Sequence, residues 1–162
     1  MPRDAALEPE DCNCFAMRSA ARHVTQFYDH LLAPTGLRTT QFSILAKLKR
    51  LGPLTINGLA KAMLMDRTTL GRNVLPLERK RLITIGSGTS DRRAKVVQLT
   101  SAGEKRVQAA RSAWSKAQSD FEGTFGPKRT AYLRGLLRAV VASEFSASEL
   151  ERSRISPTAR RP

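Results

Sequence analysis

The sequence has no long apolar run, few aromatic residues and only two cysteines, and each shortage excludes a class of protein. No apolar stretch approaches the roughly 18 residues that span a bilayer. Residues 1–11 are acidic and contain proline, whereas a secretory signal needs a basic start and an apolar core, so we expect a cytoplasmic protein. Cys12 and Cys14 are too close together to cross-link distant elements, and a reducing cytosol keeps them as thiols.

The groupings that catalysis requires are missing as well. The sequence has no glycine-rich phosphate loop, no paired nucleophile and base, and no close group of metal ligands. We therefore expect no enzyme activity, no cofactor and no metal. Aromatic residues make up 6% of the chain and none lies within its basic stretch. That shortage disfavours a single-strand binder, because such proteins stack bases on aromatic rings.

Positive charge is what the chain has in excess, with 28 lysines and arginines against 14 acidic residues and a formal net charge of +14. The excess is concentrated between residues 67 and 95, where the only acidic residues are Glu78 and Asp91. The basic members are Arg67, Arg72, Arg79, Lys80, Arg81, Arg92, Arg93 and Lys95. Such a surface attracts polyanions. A membrane-surface helix would need a broad aromatic and leucine face, so the sequence favours nucleic acid.

Apolar residues that recur every three to four positions predict two helices before residue 53. The first begins at about Cys12 and ends at Pro34 and Gly36. The second follows an N-cap at Thr39 or Thr40 and stops at Gly52-Pro53, because Ser, Thr, Asp and Asn favour N-caps and proline ends a helix.

Two short helices with a tight break between them follow. One runs from an N-cap at Thr55 to about Leu64, and the other begins after an N-cap at Asp66 and continues to Leu77. Pro76 lies inside the second of these and is expected to bend it. Short helices that meet in this way are typical of a helix-turn-helix.

A β-hairpin and two long helices complete the predicted order of elements. Residues 82–85 and 94–99 read as strands, with turn-forming residues 86–91 between them. Thr100, or Ser101 with Glu104, caps a helix that continues to about Phe121. Gly126-Pro127 opens the last helix.

The predicted fold is mainly α with a small β-hairpin wing: a winged helix-turn-helix flanked by N- and C-terminal dimerisation helices. The predicted boundaries are a flexible arm over 1–11, dimerisation helices over 12–36 and 101–146, the winged domain over 37–100, and a disordered basic tail over 147–162. The apolar stripes of the flanking helices exceed what the small centre can cover, so we expect a homodimer.

The sequence resembles the MarR family of bacterial transcriptional regulators from Cys14 to about Ala142. The likeness is carried by four segments in order: 54–60 (LTINGLA), 66–70 (DRTTL), 76–79 (PLER), and 91–93 (DRR) followed by 97–100 (VQLT) and Gly103. The resemblance implies a homodimer whose first and last helices interlock. The sequence departs from the family pattern at Gly71, where a larger residue is common, and at Arg81, where many members end the recognition helix with glycine. A left-handed backbone at Arg81 would be strained.

The helix after Asp66 is expected to read bases and the wing to hold the DNA backbone or minor groove. Arginine pairs with guanine, asparagine with adenine, and the threonine methyl contacts thymine. The expected reading residues are Arg67, Thr68, Thr69, Arg72 and Asn73. The expected wing and phosphate residues are Arg79, Lys80, Arg92, Arg93 and Lys95. The family likeness points to Arg93 as the minor-groove residue, with Asp91 orienting the hairpin.

These expectations together describe a repressor that binds double-stranded DNA carrying an inverted repeat. A two-fold dimer places its recognition helices about 34 Å apart, so half-sites should be centred roughly 10 base pairs apart. The alternative is a basic protein that binds nucleic acid without sequence preference. A competition assay with unlabelled random duplex separates the two.

Two kinds of signal could release the repressor from DNA. Cys14 opens the first helix, where the helix dipole favours a thiolate. With Tyr28 it is similar to the organic-hydroperoxide-sensing branch of the family, although Arg18 and Thr39 stand where that branch has further tyrosines. Cys14 could instead be a small apolar residue, or join Cys12, His23 and His30 on a metal. The other signal is a small aromatic acid, which many family members bind between the dimer arms and the winged domain.

Overall fold

The first two helices pack against each other and share a cap that is distant in sequence. In this computed structural model, which describes residues 11–88 and 93–143, α1 is Asn13–Leu32 and α2 is Thr39–Leu51. A short 3-10 helix, Ala33–Thr35, joins them and ends at Gly36 with φ 71°. The predicted cap at Thr39 or Thr40 is wrong, because the N-cap residue is Arg38 and Asp29 Oδ1 accepts the Thr39 N–H at 2.6 Å.

The predicted helix-turn-helix is present. Helix α3 is Ile56–Met63 and α4 is Arg67–Arg79. The Thr55 hydroxyl accepts the Gly58 N–H at 3.0 Å, which confirms the N-cap predicted for α3. After α3 the chain reverses through Leu64, which is left-handed with φ 53°. The Leu64 and Met65 N–H groups donate back to the carbonyls of Lys61 and Ala60, the pattern of a Schellman motif.

Three antiparallel strands form the wing, where the sequence predicted two. Strands β2 (Ile83–Ser87) and β3 (Lys95–Leu99) make the expected hairpin. Strand β1 (Leu54–Thr55) adds to the other side of β3, with Leu54 opposite Val97, so the order is β1-β3-β2. A two-residue strand has no alternating pattern to detect. Through β1 the start of α3 is hydrogen-bonded to the wing.

One apolar core holds the helix-turn-helix, the sheet and the start of α5 (Ser101–Phe125) together. Its fully buried members include Leu32, Ile44, Leu45, Leu48, Leu59, Leu70, Val74, Leu77, Ile83 and Val97. Each fully buried leucine or valine contributes about 1.5–3 kcal/mol relative to an exposed one. This core, rather than helix propensity, fixes which side of α4 faces outward.

The chain divides into two compact units, one ending at Ser119 and the other beginning at Asp120. Helix α5 continues to Phe125, beyond the predicted end near Phe121. In the second unit α6 (Pro127–Ala142) begins after Gly126, as predicted, and the buried Thr130 hydroxyl donates to the Gly126 carbonyl. The elements therefore follow the predicted order, and together they form a winged helix-turn-helix with flanking helices.

Several sequence predictions fall outside the described residues. The arm predicted over 1–11 is described only at Asp11, and the tail predicted over 147–162 is not described. Asp91 and Arg92, at the tip of the wing, are also outside the described ranges. Within 11–88 and 93–143, no helix is long and apolar enough to cross a membrane.

Candidate nucleic-acid interface

Helix α4 begins at a cap that fixes its first turn. Asp66 Oδ1 accepts the Thr69 N–H at 2.8 Å, and its Oδ2 accepts the Thr69 hydroxyl at 2.6 Å. These hydrogen bonds, the side-chain one first, lower the pKa of Asp66 below its ordinary value of 3.8. The carboxylate also lies at the positive end of the helix dipole. The N-cap predicted at Asp66 is confirmed, and the Thr69 hydroxyl belongs to the cap.

Helix α4 is amphipathic, with an apolar inward face and a basic outward face. Leu70, Val74 and Leu77 are buried in the core. On the opposite side at helical spacing the exposed residues are Thr68, Arg72, Leu75 and Arg79, whereas Arg67 is exposed because it is the first residue of the helix. Asn73 is half-buried, and its amide donates to the Thr69 carbonyl at 2.8 Å. Of the five predicted reading residues, Arg67, Thr68 and Arg72 therefore present their side chains most openly.

Sequence reasoning missed Leu75. It placed Leu70, Val74 and Leu77 on the core side and gave Leu75 no role, yet 47% of Leu75 is exposed. A helical projection anchored on Leu70, Val74 and Leu77 places Leu75 on the opposite side, so the signal was present in the spacing.

A second Schellman motif ends α4 and sets where the wing starts. The Arg81 N–H donates to the Glu78 carbonyl at 2.8 Å, and the Leu82 N–H donates to the Leu77 carbonyl at 3.0 Å. Arg81 is left-handed with φ 56°, so the condition under which strain is expected at this residue is met. The Thr100 hydroxyl donates to the Arg81 carbonyl at 2.7 Å, so the start of α5 holds the residue that joins α4 to β2.

Lys80 lies beside Arg79 after the last turn of α4, and its ammonium has a partner within the protein. Lys80 Nζ donates to the Gly36 carbonyl at 3.0 Å. Arg79 is exposed. The two predicted phosphate-binding residues therefore differ, because Arg79 extends into solvent and Lys80 joins α4 to the loop before α2.

The described part of the wing carries two exposed basic side chains, Arg93 and Lys95. Beyond the strand ladder, the Gly88 N–H donates to the Ala94 carbonyl at 2.8 Å and extends the pairing of the hairpin by one residue on each side. Arg93 follows directly after the undescribed tip, and Lys95 pairs with Ser87 at the end of the ladder. The wing thus brings positive charge to the hairpin end farthest from the β1 pairing.

Described residues of the first unit line cavities on two sides of α2. One, of about 520 Å³, lies between α2 and α5. Phe42 and Trp114 form its aromatic wall, stacked with ring centroids 6.0 Å apart, and Lys49, Arg50 and Arg111 supply positive charge. The other, of about 550 Å³, lies where α1, α2 and Lys80 meet, and Asp29, His30, Arg38 and Gln41 line it.

The predicted sensor residues are far apart within one chain. Cys14 is exposed in the first turn of α1, and Tyr28 is buried near the other end of the same helix. Fourteen residues of helix rise about 21 Å, so their side chains do not meet in one subunit. Among the residues that the structure describes, no three His, Cys, Asp or Glu side chains could hold a metal ion, so Cys12, Cys14, His23 and His30 form no such group.

Comparison with known proteins identifies relatives of the whole architecture. The model of the MarR family matches residues 37–95. The M. tuberculosis transcriptional regulator MosR is 32% identical, covers 84% of this chain and 100% of its own, and has a TM-score of 0.70. MosR in complex with DNA is 34% identical over 83% of this chain and 100% of that one, with a TM-score of 0.71.

A third structure shares the fold. Bordetella bronchiseptica BpsR, whose DNA binding is regulated by 6-hydroxynicotinic acid, is 20% identical over 85% of this chain and 98% of its own, with a TM-score of 0.75. The family model covers the helix-turn-helix and most of the hairpin, and the likeness to MosR extends over the flanking helices. The chain therefore belongs to the MarR family, whose members are DNA-binding transcriptional regulators rather than enzymes.

Proposed function

We propose that this chain is a sequence-specific, homodimeric repressor that binds an inverted repeat in double-stranded DNA. The observation that carries the proposal is the exposed surface of α4, where Thr68 and Arg72 lie opposite a fully buried apolar face and Arg67 is exposed at the start of the helix. A rigid helix with a fixed cap and outward donors fits the major groove. Residues 37–100 form the DNA-binding domain in this proposal, and the family match over 37–95 supports it.

Each part of the basic surface has a separate task in the proposal. Arg72 reads guanine in the major groove, while Arg79 and Lys95 neutralise phosphates. Arg93 reaches the minor groove, whose negative potential is highest where the groove is narrow. Thr69 contributes only its methyl group, because its hydroxyl is bound to Asp66. Asp91 and Arg92 keep the wing-tip tasks predicted from the sequence.

Exposed apolar side chains support dimerisation. In α1, Phe15 is 43% exposed and Met17 is 42% exposed. In α6, Tyr132 is 70% exposed, and Leu136, Leu137, Val140 and Val141 are also exposed. Large contiguous apolar faces on a protein surface mark interaction sites. Burying these faces against a second copy would form the dimer arms, with 12–36 and 101–146 as the participating segments.

The proposal is tested by selecting duplexes from a random-sequence pool and titrating them by fluorescence anisotropy. Arg72→Ala is expected to lose about 1–3 kcal/mol at the selected duplex and much less at random duplex, because a bidentate base contact carries that discrimination. Arg93→Ala is expected to weaken both. Arg50→Ala, exposed at the end of α2 and outside both dimerisation segments, is the matched control for losing one positive charge. Equal losses from Arg72→Ala on both duplexes would show that Arg72 only binds phosphate.

Other results would refute the proposed repressor function as a whole. If the wild-type chain is monomeric by light scattering, or binds selected and random duplexes equally at physiological salt, the alternative of a non-specific nucleic-acid-binding protein replaces the proposal. Affinity alone does not decide, since phosphate contacts give salt-dependent binding to any duplex.

We further propose that a small aromatic acid binds in the cavity between α2 and α5 and thereby releases the repressor from DNA. The stacked Phe42 and Trp114 offer a planar apolar wall, and Arg111 offers a partner for a carboxylate. The regulation of BpsR by 6-hydroxynicotinic acid supports this class of ligand. Because Trp114 is the only tryptophan, 6-hydroxynicotinate bound there should quench the protein's tryptophan fluorescence and lower DNA affinity, and Arg111→Ala should reduce both effects.

Oxidation of Cys14 is the second release mechanism in the proposal. Exposure of the thiol in the first turn of α1 supports it, because reactive cysteines are accessible and lie at helix N-termini. Tyr28 would then act from the partner subunit rather than its own. Cumene hydroperoxide should lower DNA affinity in the wild-type and Cys12→Ser chains but not in Cys14→Ser. Unchanged affinity in all three leaves the aromatic acid as the signal.

A further inference from the structure

Leu75 is an exposed apolar side chain at the centre of a basic face. It follows Arg72 by three residues and precedes Arg79 by four, so the two guanidinium groups flank it on the outward side of α4. The buried residues of the helix, Leu70 and Val74, lie on the opposite side. Leu75 makes no part of the core cluster that holds α4 in place.

Gly71, one turn before Leu75, has no evident role within the folded chain. A Cβ built at this position meets no atom of the described residues within 4 Å, and its φ is not left-handed. Alanine would make a more stable helix. The absence of a side chain lowers the helix surface next to Leu75. No atom of Leu75 lies within 4 Å of that Cβ position, so the surface beside Leu75 in the preceding turn is open to a small apolar group.

We propose that Leu75 and Gly71 form an apolar reading patch that contacts a thymine 5-methyl group in the major groove. This inference rests on the proposed function and names part of its base specificity. Among the four standard bases, only thymine has a methyl group in that groove. Arg72 and Arg79 restrict the partner to a polyanion, because an apolar protein partner would have to desolvate both guanidinium groups without pairing them. Duplex DNA supplies both features, with phosphates along the edges of the major groove and the thymine methyl on the base edge inside it.

The patch predicts that specificity at one position of each half-site depends on the methyl group itself. The experiment replaces each thymine of the selected duplex in turn with deoxyuridine, which has the same pairing edge but no methyl. Burial of one such carbon is worth about 0.8 kcal/mol, so the wild-type chain should lose about fourfold in affinity at the contacted thymine. A thymine contacted by the Thr68 or Thr69 methyl should instead lose affinity equally in the wild-type and Leu75→Ala chains.

Two variants connect the loss to Leu75. In Leu75→Ala the affinity for the thymine duplex should fall, and deoxyuridine substitution should cause no further loss at the same position. Leu51→Ala is the matched control, since Leu51 is 48% exposed at the end of α2 and undergoes the same truncation away from α4. It should keep the fourfold deoxyuridine loss of the wild-type chain. Gly71→Ala should keep the fold and lower affinity for the thymine duplex, because its added methyl fills the space next to Leu75.

The outcomes separate this inference from the function on which it rests. The apolar patch is refuted if the wild-type chain prefers its selected duplex over random duplex but shows no deoxyuridine effect at any thymine. It is also refuted if Leu75→Ala keeps the same fourfold effect, since another residue then contacts the methyl. No preference for the selected duplex would instead refute the proposed sequence-specific function.

Discussion

Two helical glycines, Gly103 and Gly71, should respond in opposite directions to the same substitution. Gly103 is buried in the first turn of α5, where a Cβ would lie 2.7 Å from Leu99 Cδ1 and 3.1 Å from the Leu82 carbonyl carbon, and would overlap the Leu82 carbonyl oxygen. The obstruction at Leu82 is backbone, so it cannot rotate away. Gly71, by contrast, has open space where the Cβ would be.

The expected magnitudes follow from packing and helix propensity. Overpacking costs about 1–3 kcal/mol, and a backbone obstruction belongs at the upper end of that range. The better helix propensity of alanine adds about 1 kcal/mol to the free energy of unfolding and offsets part of that cost. Gly103→Ala should therefore lower the free energy of unfolding by about 2 kcal/mol and the Tm by roughly 4–8 °C. Gly71→Ala should raise it by about 1 kcal/mol and the Tm by roughly 2–4 °C.

Urea unfolding followed by far-UV circular dichroism measures both changes. All chains are compared at one protein concentration, because self-association makes apparent stability concentration-dependent. Gly71→Ala is the matched control, since it shows the propensity gain without the clash. If Gly103→Ala unfolds at the same urea concentration as the wild-type chain or a higher one, α5 does not approach Leu82 as closely as described, and the reasoning is refuted.

Two further predictions concern the ends of α4. Arg81→Gly should raise the free energy of unfolding by about 1 kcal/mol in the same urea assay, because an L-residue in the left-handed region costs about 1–2 kcal/mol and glycine avoids most of that; no gain would show that Arg81 is unstrained. Asp66 has a lowered pKa, so its carboxylate stabilises the fold above about pH 3.8 and that stabilisation is lost as the pH falls further. Asp66→Asn keeps a capping oxygen without the titration, so the stability difference between the two chains should change only below that pH, as acid titration of the Tm would show.

Local signals made most of the helices predictable. Thr55 and Asp66 lie directly before apolar-periodic segments, and their side chains accept from residues three positions on, so the caps depend on nearby sequence alone. Gly126-Pro127 marks a helix start for the same reason, since proline fits the first turn. The core faces of α3 and α4 followed from the spacing of their leucines.

Contacts between distant residues were not predictable in the same way. The cap of α2 comes from Asp29, ten residues before the N–H that it accepts, and no local pattern points to it. Strand β1 exists only because Leu54 pairs with Val97. Leu75 was not predicted because the expected base contacts were those of arginine, asparagine and threonine side chains.

The loop before α2 is where the structure departs most usefully from the sequence prediction. Lys80 Nζ, just after α4, donates to the Gly36 carbonyl at 3.0 Å, and Arg106, from α5, donates to the Thr35 carbonyl at 3.0 Å. Two cations, one just after α4 and one within α5, thus donate hydrogen bonds to adjacent carbonyls of one loop. Hydrogen bonds from charged donors are stronger than neutral ones. Lys80 therefore joins the end of α4 to a loop that α5 also contacts, a structural role that its position in a run of basic residues does not suggest.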